Sequence, residues 1–294
     1  MGRRYRRIRV KVLVFLFLCV ELFARASVWK ISDAEHTMYI GGTIHVLRAS
    51  DYPLPKEFDE AYNQSDYVVF ETDLALAQSR TLQRILAQKM MLPAGQRLSD
   101  KLSPDIYSKL KSYIALQGYT IEKFDRLHPW AVILSLTQLK LSQIGIDQSG
   151  VDSYYSRRSR ADHIPQQYLE SVEEQSAIIT EIGKGEEDAV ILQTLSDMET
   201  LPSMMEWMVK EWREGKTERL RYELVDEMRS DSPKMYNTIL KQRNEAWMPK
   251  LIALLHDEKR GFVLVGAMHL LGRDGLLEQF RKQGYRVEYL EKGK

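Results

Sequence analysis

The chain has one cysteine, Cys19, and it lies within the first 26 of 294 residues. The remainder therefore has neither disulfides nor thiolate ligands, and any metal ion would have to be held by His, Asp and Glu. An apolar run of the ~20 residues that a membrane-spanning helix needs is missing. So are a Pro/Gly/Ser-rich linker and a repeat of 20–50 residues, which excludes a solenoid or a string of tethered modules. No charge of one sign dominates, since 42 Lys and Arg stand against 41 Asp and Glu.

The charge is nevertheless uneven. MGRRYRRIRVK is basic, VLVFLFLCVELF is apolar for about a dozen residues, and Ala24-Arg25-Ala26 has the small-x-small form of a cleavage site. Residues 1–26 read as a secretory signal removed after Ala26, which implies a periplasmic or secreted protein with no stable membrane span; an uncleaved anchor is the alternative. The signal takes seven basic residues and one acid with it. The remaining 35 basic and 40 acidic side chains give a net charge of −5, which argues against a nucleic-acid or anionic-membrane partner.

Residues 27–294 read as one α/β domain. VWKIS, TMYIGGTI and YVVFET give strands near the start, with DAEH as a hairpin turn between the first two. FVLVGAM and YRVEYL give strands near the end. Between them, over about 75–257, the pattern is helical, with IPQQYLE as the one strand in that stretch. This predicts a mixed sheet uniting the two termini and a largely helical central insert or cap. IGGTI and FVLVGAM are apolar without alternation, as strands covered on both faces are.

Two of these strands end alike, in Gly42-Thr-Ile-His45 and Gly266-Ala-Met-His269, and a third runs into Glu71-Thr-Asp73. Each apolar strand thus delivers an ionisable group to its carboxyl end, the edge where open α/β sheets bind ligands. Gly42 and Gly266 permit close backbone approach before each imidazole. Two His and one carboxylate with an open position suit a hydrolytic divalent metal. Asp73 offers a further ligand or base. Asp152 reads as a helix N-cap, and Glu170 as a strand-end carboxylate or a cap. Arg243 reads as a carboxylate clamp or part of a solvated helix face. The other histidines, His36, His128, His163 and His256, read as structural.

Together VWKIS, GGTIHVL, VVFETDL, HPWA, GVDSYY, LESVEEQ, RNEAWMPKL and VGAMHLLGRDG resemble the TraB/GumN family, which includes the Tiki-type metalloproteases. Paired GxxH motifs with a Glu between them are that family's mark. The resemblance implies a divalent-metal-dependent peptidase fold related to the erythromycin-esterase group, with Zn, Mn or Co left open. It assigns His45, Glu71 and His269 to the active site and Asp152, Glu170 and Arg243 to supporting positions. His128 departs from it, standing where Arg precedes Pro-Trp. The resulting expectation is an exported metal-dependent hydrolase of peptide or small amide substrates. A periplasmic binding protein using the same cleft and a purely structural His–Glu–His triad are the alternatives, and the oligomeric state stays open.

Overall fold

The computed structural model describes residues 25–291; the expected signal segment falls largely outside them. Eight strands form: β1 Val28–Ser32, β2 Thr37–Thr43, β3 Val46–Leu47, β4 Tyr67–Phe70, β5 Gln148–Ser149, β6 Gln166–Tyr168, β7 Gly261–Gly266 and β8 Arg286–Tyr289. Six of them build one mixed sheet in the order β6-β4-β7-β2-β1-β8, with β3 and β5 forming a separate pair. β6, β4, β7 and β2 are mutually parallel; β1 is antiparallel to both of its neighbours, β2 and β8. Every residue of β4 is buried, as are all but one of β2 and of β7, which explains their unalternating apolar sequences.

The helices are α1 Lys56–Asn63, α2 Leu74–Ala77, α3 Arg80–Met90, α4 Pro104–Leu116, α5 Pro129–Gln143, α6 Val151–Ala161, α7 Val172–Thr180, α8 Glu187–Arg213, α9 Thr217–Leu220, α10 Glu227–Asp231, α11 Pro233–Tyr236, α12 Gln242–Leu255, α13 Ala267–Leu270 and α14 Leu276–Lys282. A π-helical turn, Asn237–Lys241, leads into α12. Among the described residues no helix is long and apolar enough to cross a membrane.

The Gly41-Gly42 pair shows how tightly the sheet is covered. Adjacent strand residues point to opposite faces, and a Cβ on Gly41 would lie 2.9 Å from the Phe58 ring of α1. A Cβ on Gly42 would lie 3.1 Å from the backbone of Ala267 in α13. Phe58 packs on Phe262, Tyr155 and Trp212 in the main core. A second apolar cluster, around Leu110, Val132, Leu136 and Ile191, is built from α4, α5 and α8 with Leu98, Leu102 and Ile121 of the adjoining segments. The insert therefore has a core of its own. It is not only a cap, however: β6 lies within it and pairs with β4, and Val151 and Tyr155 of α6 join the main core.

Candidate active site

The four parallel strands each lead to one polar side chain at the carboxyl edge. Glu170 follows β6, Glu71 follows β4, His269 follows β7 and His45 follows β2. The strand ends fall short of the sequence expectation. β7 stops at Gly266, and Ala267–Leu270 is helical, so His269 projects from a short helix and not from a strand end. Gly266 lies at the centre of the cluster: a Cβ there would be 3.3 Å from Glu71 Oε1 and 3.6 Å from both His45 Nε2 and the His269 ring. Its amide donates to Glu71 Oε1 (2.7 Å).

Arg243, buried on α12, connects the acids. Nη2 donates to Glu71 Oε2 (2.5 Å) and to Glu170 Oε1 (2.6 Å), Nε to Glu170 Oε2 (3.1 Å), and Nη1 to the carbonyl of Ile239 (3.2 Å) and to His269 Nε2 (2.9 Å). It is thus not part of a solvated helix face. Its guanidinium also lies over Trp247, 4.6 Å from the ring centroid. Burial acts to raise the pKa of Glu71, but His269, Arg243, His45 and the Gly266 amide outweigh it and hold the pKa at about 2. Burial wins for Glu170, whose pKa is raised despite Arg243.

Hydrogen bonding fixes the form of His269. Asn244 Nδ2 donates to the carbonyls of His269 (3.1 Å) and Asp274 (2.9 Å), so its Oδ1 faces His269 Nδ1 (2.7 Å) and accepts that proton. His269 Nε2 is then a lone pair. Burial, partly offset by Glu71, lowers its pKa to about 3, and the ring packs against Trp247 with centroids 4.5 Å apart. His45 is the opposite case. Its side chain is 63% exposed and its Nδ1 lies 3.1 Å from Asp152 Oδ2. The negative charge of Asp152 outweighs desolvation and raises its pKa to about 9.

Of these groups His45, Glu71, Asp152 and Arg243 line a cavity of about 410 Å³. Among the described residues, the buried side-chain polar atoms without a hydrogen-bond partner are Thr43 Oγ1, Thr72 Oγ1 and Asp152 Oδ1. All three residues line this cavity. Buried polar groups are nearly always satisfied, so these three are exceptions, and they cluster in residues around one cavity. The facing wall is aliphatic, with Leu74, Ile178, Ile179, Ile182, Ile239 and Leu264.

Two expectations are corrected by this geometry. Asp73 is the N-cap of α2, its Oδ1 accepting from the amides of Ala75 (2.9 Å) and Leu76 (3.0 Å), and it does not line the cavity. Asp152 is not an N-cap. Gly150 holds that position on α6, which frees the Asp152 carboxylate for His45. His128 precedes Pro129 of α5 as expected, but lines a different cavity beside Lys101. Asn244 and Trp247 were missed as site residues; their signal lay in the R-N-x-x-W spacing, which places Arg243 and Trp247 one helical turn apart.

Fold and site define an α/β protein with an acid–imidazole–guanidinium cluster at the carboxyl edge of its parallel strands. The sequence profile of the TraB/PrgY/gumN family matches residues 27–289, and the chain belongs to that family. It is 25% identical to metalloprotease TIKI1 of Danio rerio, across 87% of this chain and 61% of that protein. It is also 25% identical to metalloprotease TIKI1 of Homo sapiens, across 87% and 60%. To YbaP of Escherichia coli it is 24% identical, across 82% of this chain and 86% of that one. The chain thus spans about three-fifths of the length of these Tiki relatives. No solved structure matches it.

Proposed function

We propose that the protein is an exported, divalent-metal-dependent hydrolase that cleaves a peptide or related amide with an aliphatic side chain next to the scissile bond. The observation that carries this reading is the convergence of His45, Glu71 and His269 on Gly266, with His45 and Glu71 lining a cavity of about 410 Å³.

The residue types suit a divalent ion, which would have to draw them together, since among the described residues only Asp33, His36 and His256 bring three ligand atoms within 4.8 Å of one another. Metal-ligating histidines characteristically tie their other ring nitrogen to a carboxylate or carbonyl oxygen. His45 Nδ1 is tied to Asp152 and His269 Nδ1 to Asn244, so the Nε2 atoms are the ones left to ligate, that of His269 once Arg243 Nη1, now 2.9 Å away, gives way to the ion. His45, Glu71 and His269 would hold the ion. A bound divalent cation supplies Lewis acidity and an activated water near neutral pH.

The chain's own residues do the rest. Asp152 and Asn244 orient the two imidazoles, and Arg243 keeps Glu71 ionised and adds a fixed positive charge where a carbonyl oxygen gains negative charge. The aliphatic part of the lining receives the substrate side chain and excludes water.

One observation favours a second, metal-free reading. Arg243 already occupies the His269 Nε2 lone pair, which leaves the His45 imidazolium, held charged by Asp152, as a general acid and Arg243 as the electrostatic stabiliser. Elemental analysis and peptide-library cleavage, on wild type beside His45→Ala and His269→Ala, test both. Near one equivalent of metal, lost from both folded variants along with chelator-sensitive cleavage, supports the first reading. Cleavage that survives chelation but not His45→Ala supports the second. Peptide binding without turnover would mark the cleft as that of a binding protein.

A further inference from the structure

At the other end of β2 from His45, the turn joining β1 to β2 brings Asp33 and His36 against His256, which ends α12. Asp33 Oδ1 accepts from the amides of Glu35 (2.8 Å) and His36 (2.7 Å), which fixes the carboxylate. Its Oδ2 lies 3.2 Å from His256 Nε2, and both of its oxygens lie 3.3 Å from His36 Nδ1. The two imidazole rings meet edge to face, with centroids 5.0 Å apart. Among the described residues, this is the trio of His, Asp or Glu whose ligand atoms all lie within 4.8 Å of one another.

The spacing is informative. N–H···O hydrogen bonds centre near ~2.9–3.0 Å, whereas ligand atoms on one tetrahedral ion, each ~2.0–2.1 Å from it, stand about 3.3–3.4 Å apart. The Asp33–His36 and Asp33–His256 separations, 3.3 and 3.2 Å, are at the long end for a hydrogen bond and close to the span of two ligands on one ion. The residues also come from distant parts of the chain, with Asp33 and His256 223 positions apart.

We propose that Asp33, His36 and His256 form a second metal site, separate from the cavity, that takes a borderline divalent ion such as Zn²⁺. Two imidazoles and a carboxylate suit Zn²⁺, Cu²⁺ or Ni²⁺ and not Ca²⁺ or Mg²⁺, which demand more oxygen ligands. The Tyr285 hydroxyl, 3.4 Å from His256 Nε2, stands beside the remaining ligand position. An ion here clamps the β1–β2 turn to the carboxyl end of α12. The amino end of that helix carries Arg243 and Asn244, so the ion steadies the rod that positions His269 and Glu71 without meeting substrate.

This site is independent of the proposed hydrolysis, and the test separates the two. Full-length metal-free protein is titrated calorimetrically with ZnCl₂ as wild type, as the His45→Ala/His269→Ala double variant, and as that variant carrying His36→Gln or His256→Gln. One equivalent of Zn²⁺ is expected to persist in the double variant and to weaken at least tenfold on either added substitution. Co²⁺ in the double variant is expected to give the intense visible absorption of a four-coordinate ion, lost with His36→Gln. Unchanged Zn²⁺ affinity after His36→Gln and His256→Gln, or no Zn²⁺ binding by the folded double variant, overturns the proposal. Should the double variant not fold, wild type is compared with His36→Gln alone: one equivalent fewer supports the site, and equal counts overturn it.

Discussion

His45 and His269 are the same residue type held in opposite states by what sits on Nδ1. A carboxylate favours the imidazolium, and Asp152 raises the His45 pKa to about 9. A neutral amide with burial favours the imidazole, and His269 falls to about 3. In metal-free protein, an NMR titration of the ring protons is therefore expected to show His45 charged at pH 7. Asp152→Asn should bring its midpoint down toward the ordinary value near 6.5; a midpoint unmoved by that change would mean that Asp152 does not set it. Gly266 provides a second residue-scale test. Its φ of −50° suits any L-residue, so Gly266→Ala should cost less than ~1 kcal/mol in stability, within the range of ordinary substitutions. The methyl group would nevertheless stand between Glu71, His269 and His45, and hydrolysis is expected to fall at least tenfold.

Among elements, α6 has the most exacting seat. A Cβ on Gly150 would lie 1.9 Å from the carbonyl oxygen of Ile44, because the Gly150 and Val151 amides donate to His45 and Ile44 directly across from them. Gly150→Ala must therefore push α6 off the His45 loop. A loss of more than ~3 kcal/mol in chemical denaturation is expected, in the range of severe packing faults, with the His45–Asp152 contact broken as well. None of this was legible in the sequence. The long apolar strands were, because burial on both faces leaves an unbroken run, and the paired GxxH segments pointed to adjacent strands. β3 and β5, two residues each, carry no periodic signal, yet their pairing brings Asp152 to His45. Arg243 looked solvated because a charged residue on a helix usually is; only the tertiary fold places two acids and an imidazole around it. Asp73 looked like a ligand because the sequence does not say that β4 stops at Phe70 and that a helix needing a cap begins at Leu74.

For the whole molecule, the buried cluster makes stability depend on pH in a definite direction. His269 is neutral in the fold, while in the unfolded chain it takes up a proton near pH 6.5. Unfolding therefore binds a proton between about pH 6.5 and 3, and stability falls as pH drops through that window, by about 1.4 kcal/mol per pH unit for each proton bound. Glu71, lowered from 4.5 to about 2, extends the same trend at the acid end. His45 acts in the other sense: its contribution is complete below about pH 6.5 and is lost as pH rises to about 9. Calorimetric melting temperatures are expected to decline on both flanks, and His269→Gln should flatten the slope between pH 6.5 and 4.5. A wild-type profile level from pH 6.5 to 4 would contradict the assignment of His269 as neutral.

The sheet order has a consequence for biosynthesis. β2 and β4 are never neighbours; β7, made some 190 residues later, is wedged between them. A nascent chain can therefore form the β1–β2 hairpin and the β4–β6 pair early, but the two halves of the sheet stay apart until β7 has been made, and contacts so distant along the chain form slowly. Assembly of the cluster and the closing of the sheet then arrive in one late event, because His269 follows β7 directly.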